Sequence, residues 1–259
     1  MIAAQLRYDL RPRTPNMAAS TKWLPRPAEL NLTDSELHIW RASLRLDAAV
    51  LRRLEAHLSP GERSRAERFH FDRDRDRFVV ARGILRELLG SYLNRDPAEV
   101  ELSYGSQEKP AVRDNDSQKR IQFNLSHSHD LAVYAFARNR ELGIDLEPIQ
   151  PEFAGENIAE RHFSPQELEE WNRLDPGLRA EAFFLCWTRK EAYVKARGEG
   201  LQIPLASFSV TLTPGQPEEL RSSDSAKWRL RSFQPAPGYA AAIIGEGKDW
   251  RLVQWDWQP

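Results

Sequence analysis

The sequence predicts an α+β fold made of two similar halves related by a pseudo-twofold, with antiparallel sheets and packed helices. Three observations carry that expectation. Apolar runs of strand length and stretches of helical period share the 259-residue chain. A Ser-Pro-x-Glu helix start occurs twice, as SPGE from Ser59 and as SPQE from Ser164, 105 positions on. The same offset carries Phe78, which opens FVVARGILRELL, onto Phe183, which opens FFLCWTRKEAYV. Ser caps a helix and Pro fits its first turn, so either motif alone is a common helix start. Shared spacing points instead to a duplicated unit, with a site in the cleft between the copies.

Each element has its own local reason. Residues 1–30 hold Pro12, Pro15, Pro25 and Pro27 among scattered arginines, without periodicity, and read as a loosely draped N-terminal arm. SELHIWRASL (35–44) reads as a strand, and LDAAVLRRLEAHL (46–58) as a helix capped by Asp47. A longer helical region runs from Ser59 to about Leu93. IQFNLS (121–126) and LAVYAFA (131–137) are strands, and ELGIDLEPI (141–149) is expected to pair with the latter across the RNRE turn. The pattern turns helical again from Phe163 to Gly198. FSVTL, WRLRSF, YAAAIIG and WRLVQWDW then suggest an antiparallel meander. The halves are placed at 31–140 and 141–259.

Composition bounds the function. The net charge is −1, with 41% apolar and 29% charged residues, an ordinary globular balance without bias toward nucleic acid or membrane. Cys186 is the single cysteine, which excludes an intramolecular disulfide and a Cys-based zinc site. No apolar run approaches the roughly 18 residues of a membrane span, and the N-terminus lacks a signal-peptide core, so the expected compartment is the cytoplasm.

GIDLEPI, residues Gly143–Ile149, carries the first chemistry. A strand alternates its faces, so Asp145 and Glu147 point the same way and repel. Trp187, Glu191 and Lys195 follow at i, i+4 and i+8 along one helical stripe. Taken separately, these are a solvated strand edge and an exposed Glu–Lys pair worth about 0.3 kcal/mol. Together, three carboxylates suit an octahedral Mg²⁺ that takes phosphate oxygens from a substrate and cancels the repulsion.

FNLSHSHD (123–130) places Ser126 and His127 where a strand ends. His127 and His129 form a His-x-His pair, but no third nitrogen or thiolate ligand is placed to help, and a histidine here gains a role chiefly beside a phosphate. EKP puts Lys109 in a turn. Arg63, Arg65, Arg68, Arg73, Arg75, Arg77 and Arg82 interleave with Asp72, Asp74 and Asp76, mostly as a solvated helix face with room for one or two phosphate clamps. No G-x-x-x-x-G-K-[ST] loop exists, which argues against a P-loop kinase or ATPase.

GIDLEPI followed some forty residues on by WTRKEAYVKA resembles the signature pair of the 4′-phosphopantetheinyl transferases. The length, the duplicated halves, EKP, FNLSHS and the GEG before LQIPL are similar to the large, Sfp-type branch, and the resemblance runs from about Ser59 to Val210. It implies that branch's fold and transfer of the 4′-phosphopantetheine arm of coenzyme A to a serine of an apo carrier protein, with release of adenosine 3′,5′-bisphosphate. By match to the family, Asp145, Glu147 and Glu191 would hold Mg²⁺, while Lys195 would contact the phosphate and stabilise the leaving group. Glu191 would also help deprotonate the serine, directly or through water. Ser126 and His127 would hold the phosphate end of coenzyme A, His127 near the 3′-phosphate, with Lys109 at the nucleotide and Arg73, after FHFD, on a phosphate. Glu62 departs from the pattern, lying where some members carry a lysine, while Arg65 keeps a positive charge close by. The implied partners are acyl, polyketide or peptidyl carrier proteins, met by a monomer through a basic or apolar rim. The alternatives are a coenzyme A- or carrier-binding module without turnover and another Mg²⁺-dependent phosphotransferase.

Overall fold

The helix starts at Ala48, Pro60, Pro165 and Pro176 are fixed by side chains that the sequence supplies locally. The computed structural model describes residues 22–105, 109–113 and 120–259, so residues 1–21 of the expected arm and Glu108 of EKP lie outside the described residues. The first half runs β1 (Leu24–Pro25), β2 (Glu36–Ser43), α1 (Ala48–Ala56), α2 (Pro60–Ala66), α3 (Asp72–Leu93), β3 (Leu102–Tyr104), β4 (Pro110–Val112), β5 (Ile121–Ser128) and β6 (Leu131–Arg138). The second continues with β7 (Leu142–Pro148), α4 (Glu156–His162), α5 (Pro165–Arg173), α6 (Pro176–Arg197), β8 (Ser209–Val210), β9 (Leu220–Arg221), β10 (Trp228–Phe233), β11 (Tyr239–Glu246) and β12 (Arg251–Asp256). Asp47 caps α1 by accepting from the amides of Ala49 and Val50. Ser59 and Ser164 each form a capping box, with Glu62 and Glu167, ahead of a proline in the first turn.

The duplication is visible in the sheets. One has the order β1-β12-β2-β6-β5 and another β10-β11-β7, so the arrangement β2-β6-β5 recurs as β7-β11-β10. Trp40 faces Tyr134 across β2 and β6, as Asp145 faces Ala242 across β7 and β11. Helices α3 and α6 both have 22 residues and both end on a left-handed residue, Asn94 or Gly198. From Asp72 to Pro176 is 104 positions, so Phe78 corresponds to Ala182 rather than to Phe183. A buried ion pair is duplicated too. Glu62 meets Arg86 at 2.6 Å, and Glu167 meets Lys190 at 2.7 Å, each tying a capping box to the following long helix.

Two expected pairings are corrected. β7 does not pair with β6; it pairs antiparallel with β11, because β7 opens the second unit and takes β11, the counterpart of β6, as its partner, as β2 takes β6. The C-terminal meander is reduced to β10 and β11, since β8 pairs with β9 in a separate two-stranded sheet. β12 crosses to the first sheet and runs parallel to β2, where Trp255 and Trp257 are buried in the first core. From residue 22 onward the arm lies on this sheet, with β1 parallel to β12, Trp23 packed on Phe233 and Arg41 over the Trp23 ring.

The two sheets face each other through Leu37, Ile39, Val133, Leu142, Ile144 and Ile243, a shared apolar layer. Their opposite faces carry the helices, with α3 on the first sheet and α6 on the second. Gly143 lets β7 lie directly on α6. A Cβ there would come within 2.1 Å of the Ala192 carbonyl oxygen and 2.5 Å of the Ala196 amide. Only glycine tolerates that approach. Among the described residues no helix is long and apolar enough to cross a membrane.

Two outcomes follow from this packing. Gly143→Ala pushes β7 off α6, and we expect a loss of about 3 kcal/mol in urea unfolding; an unchanged midpoint would show that the strand does not need the close approach. His38 is buried beside Tyr92 and Trp255, and burial lowers it from 6.5 to about 4 against the opposing pull of Glu36. The unfolded chain therefore takes up a proton near pH 6.5 that the folded chain refuses until about 4. Stability present above that window is lost as the pH falls through it, by up to about 3 kcal/mol. Comparing urea unfolding at pH 7 and at acid pH, His38→Gln should lose less stability than the native chain; equal losses would contradict the assignment.

Candidate active site

Strand parity and helical phase bring the charged residues together. Asp145 and Glu147 follow Gly143 on the face of β7 that covers α6, and Glu191 and Lys195 rise from that helix one turn apart. Lys195 Nζ donates to Asp145 Oδ1 at 2.6 Å and to Ser126 Oγ at 3.0 Å. Ser126 Oγ donates to the same Asp145 oxygen at 2.8 Å, closing a triangle between β5, β7 and α6. Ser128 Oγ donates to Glu147 Oε2 at 3.0 Å.

Negative charge is in excess here. Asp145 is only 4% exposed, and its Oδ2 is buried without a hydrogen-bond partner. Burial first, and the charge of Asp145 second, push the carboxyls of Glu147 and Glu191 above the usual range. Among the described residues no three His, Cys, Asp or Glu side chains already close round one point as a preformed metal cage would. The orphaned Asp145 oxygen and two carboxylates that resist ionising nevertheless fit an oxygen-preferring cation.

Two cavities flank Leu125. One, of about 420 Å³, is lined by Arg65, Phe69, Arg77, Phe78, Arg82 and His127. The other, of about 380 Å³, is lined by Lys109, Asn124, Glu191, Lys195, Ile203 and Leu205. His127 is held below its ordinary value by burial and then by the charges of Lys195, Arg82 and Arg77, so it stands as a neutral ring among cations. Arg77 is anchored by Asp130 at 2.6 Å, while Arg82 keeps a buried Nη1 without a hydrogen-bond partner. Lys109 is pulled down by burial and reaches the Leu142 carbonyl and Glu141.

The structure thus gathers Asp145, Glu147, Glu191, Lys195, Ser126, His127 and Lys109, and leaves Arg73 apart. The Arg73 side chain is 70% exposed, bonded among the described residues to the neighbouring Asp74, and lines neither cavity. Arg77 and Arg82 line the first cavity, Arg77 held by Asp130 and Arg82 by Glu62, whereas Arg73, one turn before Arg77 on the same stripe, stays in the exposed first turn of α3. Glu62 is buried in its capping box and bound to Arg86, a structural position. Asn124 and Ser128 were missed, although their parity with Ser126 on β5 was a usable signal. Only the second unit carries the charged set. The positions corresponding to Asp145, Glu147, Glu191 and Lys195 hold Trp40, Ala42, Glu87 and Ser91 in the first.

Comparison with known proteins identifies the family. A family model described as 4′-phosphopantetheinyl transferase, N-terminal, matches residues 44–139, and the 4′-phosphopantetheinyl transferase superfamily model matches residues 141–244. The 4′-phosphopantetheinyl transferase HetI of Nostoc sp. is 39% identical over 233 residues, covering 90% of this chain and 97% of that protein. The 4′-phosphopantetheinyl transferase Sfp of Bacillus subtilis is 28% identical, over 76% of this chain and 86% of its own. A solved structure, the holo-[acyl-carrier-protein] synthase of Thermotoga maritima, aligns with 42% of this chain and 63% of its own at 22% identity and a TM-score of 0.35. The chain belongs to the 4′-phosphopantetheinyl transferase superfamily, in its Sfp-like branch.

Proposed function

We propose that the chain moves the 4′-phosphopantetheine arm of coenzyme A onto a serine of an apo carrier protein and releases adenosine 3′,5′-bisphosphate, in the cleft between its halves, 31–140 and 141–259. The observation that carries this reading is the Lys195–Asp145–Ser126 triangle beside an arginine-lined cavity. A substrate with phosphates at two separated places needs cations at two separated places, and the cavities on either side of Leu125 supply them.

Arg65, Arg77, Arg82 and His127 would take the nucleotide's phosphate end, replacing Arg73 in that role. A dianion there would favour protonation of His127, which burial and the nearby cations keep neutral in the free site. Lys109 lines the other cavity with Lys195 and the apolar Val194, Ile203 and Leu205. Asp145, Glu147 and Glu191 would hold Mg²⁺, which supplies neutralisation of the pyrophosphate charge when bound. Lys195 places its ammonium where charge develops on the leaving phosphate. Glu191, whose proton affinity burial raises, accepts the carrier serine's proton, directly or through water. The serine oxygen then bonds to the phosphorus that bears the pantetheine, and the bond from that phosphorus to the nucleotide phosphate breaks. Positioning and charge neutralisation suffice for such a step, without a covalent enzyme intermediate.

The partners are coenzyme A and a carrier protein of the acyl, polyketide or peptidyl kind. Phe69 and Phe71, both exposed beside the basic α2, offer an apolar and cationic rim to an acidic carrier. One chain holds both walls of the cleft, so a monomer suffices, working in the cytoplasm.

Intact-protein mass spectrometry of an apo carrier mixed with the chain, coenzyme A and Mg²⁺ should show the gain of one phosphopantetheine arm, absent with EDTA. Asp145→Ala should slow the gain by about 100-fold or more. Coenzyme A binding without any mass gain would leave a binding module, and a gain indifferent to EDTA would remove the metal.

A further inference from the structure

β5 and β7 are edge strands of different sheets, yet they run side by side in the same direction. No backbone ladder joins them among the described residues. Instead, every second side chain of β5 reaches across. Gln122 Nε2 donates to Glu141 Oε1 at 2.7 Å, and Asn124 Oδ1 accepts from the Ile144 amide at 2.9 Å. Ser126 donates to Asp145 and Ser128 to Glu147, at 2.8 and 3.0 Å. A strand repeats every two residues, so one face of β5 supplies all four rungs.

The rungs differ in what they hold. Gln122 fixes the start of β7, while Asn124 satisfies a main-chain amide that β11, on the other edge of β7, leaves unpaired. Ser126 and Ser128 each fix one carboxylate of the candidate site. A backbone ladder would set strands about 4.8 Å apart. Side-chain rungs take the place of that ladder here and tie the register of the two strands. A slip of one residue would turn Asp145 and Glu147 away from α6.

We propose that Asn124 and Ser128 are positioning residues for transfer: Asn124 sets the register of β7 against β5, and Ser128 orients the Glu147 carboxylate. What the carboxylates do rests on the reading given above; the rungs themselves do not.

The test compares the full chain with Asn124→Ala, Ser128→Ala and Ser128→Thr. Hydrogen exchange at the Ile144 amide, Mn²⁺ binding followed by electron paramagnetic resonance, and transfer from coenzyme A to an apo carrier are measured on each. Asn124→Ala should accelerate exchange at Ile144 and lower kcat by about 10- to 100-fold. Ser128→Ala should weaken Mn²⁺ binding and lower kcat while the KM for coenzyme A stays within about threefold, and Ser128→Thr should restore both. Folded variants with native exchange, Mn²⁺ binding and kcat would overturn the proposal. If Asn124→Ala fails to fold, the contrast between alanine and threonine at 128 decides. Were the native chain itself inactive in transfer, the reaction reading would fall, while exchange and Mn²⁺ binding would still decide the rungs.

Discussion

The direct contact of β7 with α6 at Gly143 is the constraint on which the cleft depends. With no side chain between strand and helix, the next two residues on that face, Asp145 and Glu147, come down onto the turn of α6 that carries Glu191 and Lys195. The apolar layer between the sheets presses the other face of the same strand, through Ile144 and Leu146, against Leu37 and Ile39. β7 is therefore held from both sides by packing, and burial of its carboxylates follows from that packing. Their electrostatic strain is a consequence rather than a separate design. One lysine cannot neutralise one buried and two half-buried acids, so the site retains a demand for positive charge.

The first unit shows the same framework put to structural use. Where the second has Asp145, the first buries Trp40, whose indole donates to the Tyr92 hydroxyl at 2.9 Å. Where the second has Glu191, the first has Glu87, already engaged by His57, Arg53 and the indole of Trp257. Arg26 from the arm reaches Ser91, the counterpart of Lys195. β12, with residues 24–26 beside it, thus occupies the edge of β2 that corresponds to the cleft edge of β7. Duplication gave two frameworks, and the chain ends filled one of them.

Much of this was legible locally. Period two in GIDLEPI put two carboxylates on one face, spacing of four aligned Glu191 with Lys195, and the Ser-Pro-x-Glu repeats marked two capping boxes. What stayed hidden depends on longer range. A hairpin between neighbouring strands is the nearest reading of RNRE, yet the partner of β7 is set by the whole unit's topology. A parallel strand such as β12 leaves no local turn signal. Among seven closely spaced arginines, Arg73 and Arg77 lie one turn apart on the same stripe of α3, so tertiary partners separate them: Asp130 holds Arg77 and Glu62 holds Arg82, while Arg73 stays in the exposed first turn. Cross-strand rungs from Asn124 and Ser128 need the two edges to be brought together first.

On the proposed reading one substrate spans both cavities, with its phosphates at the arginine cluster and at Lys195. A crystal structure of the chain with coenzyme A and Mg²⁺ tests it most directly. The 3′-phosphate should lie against Arg65, Arg77 or Arg82 near His127, and the pyrophosphate against Lys195 beside Asp145, Glu147 and Glu191. Coenzyme A bound wholly outside these two cavities, or a pyrophosphate away from Lys195 and the β7 carboxylates, would contradict it.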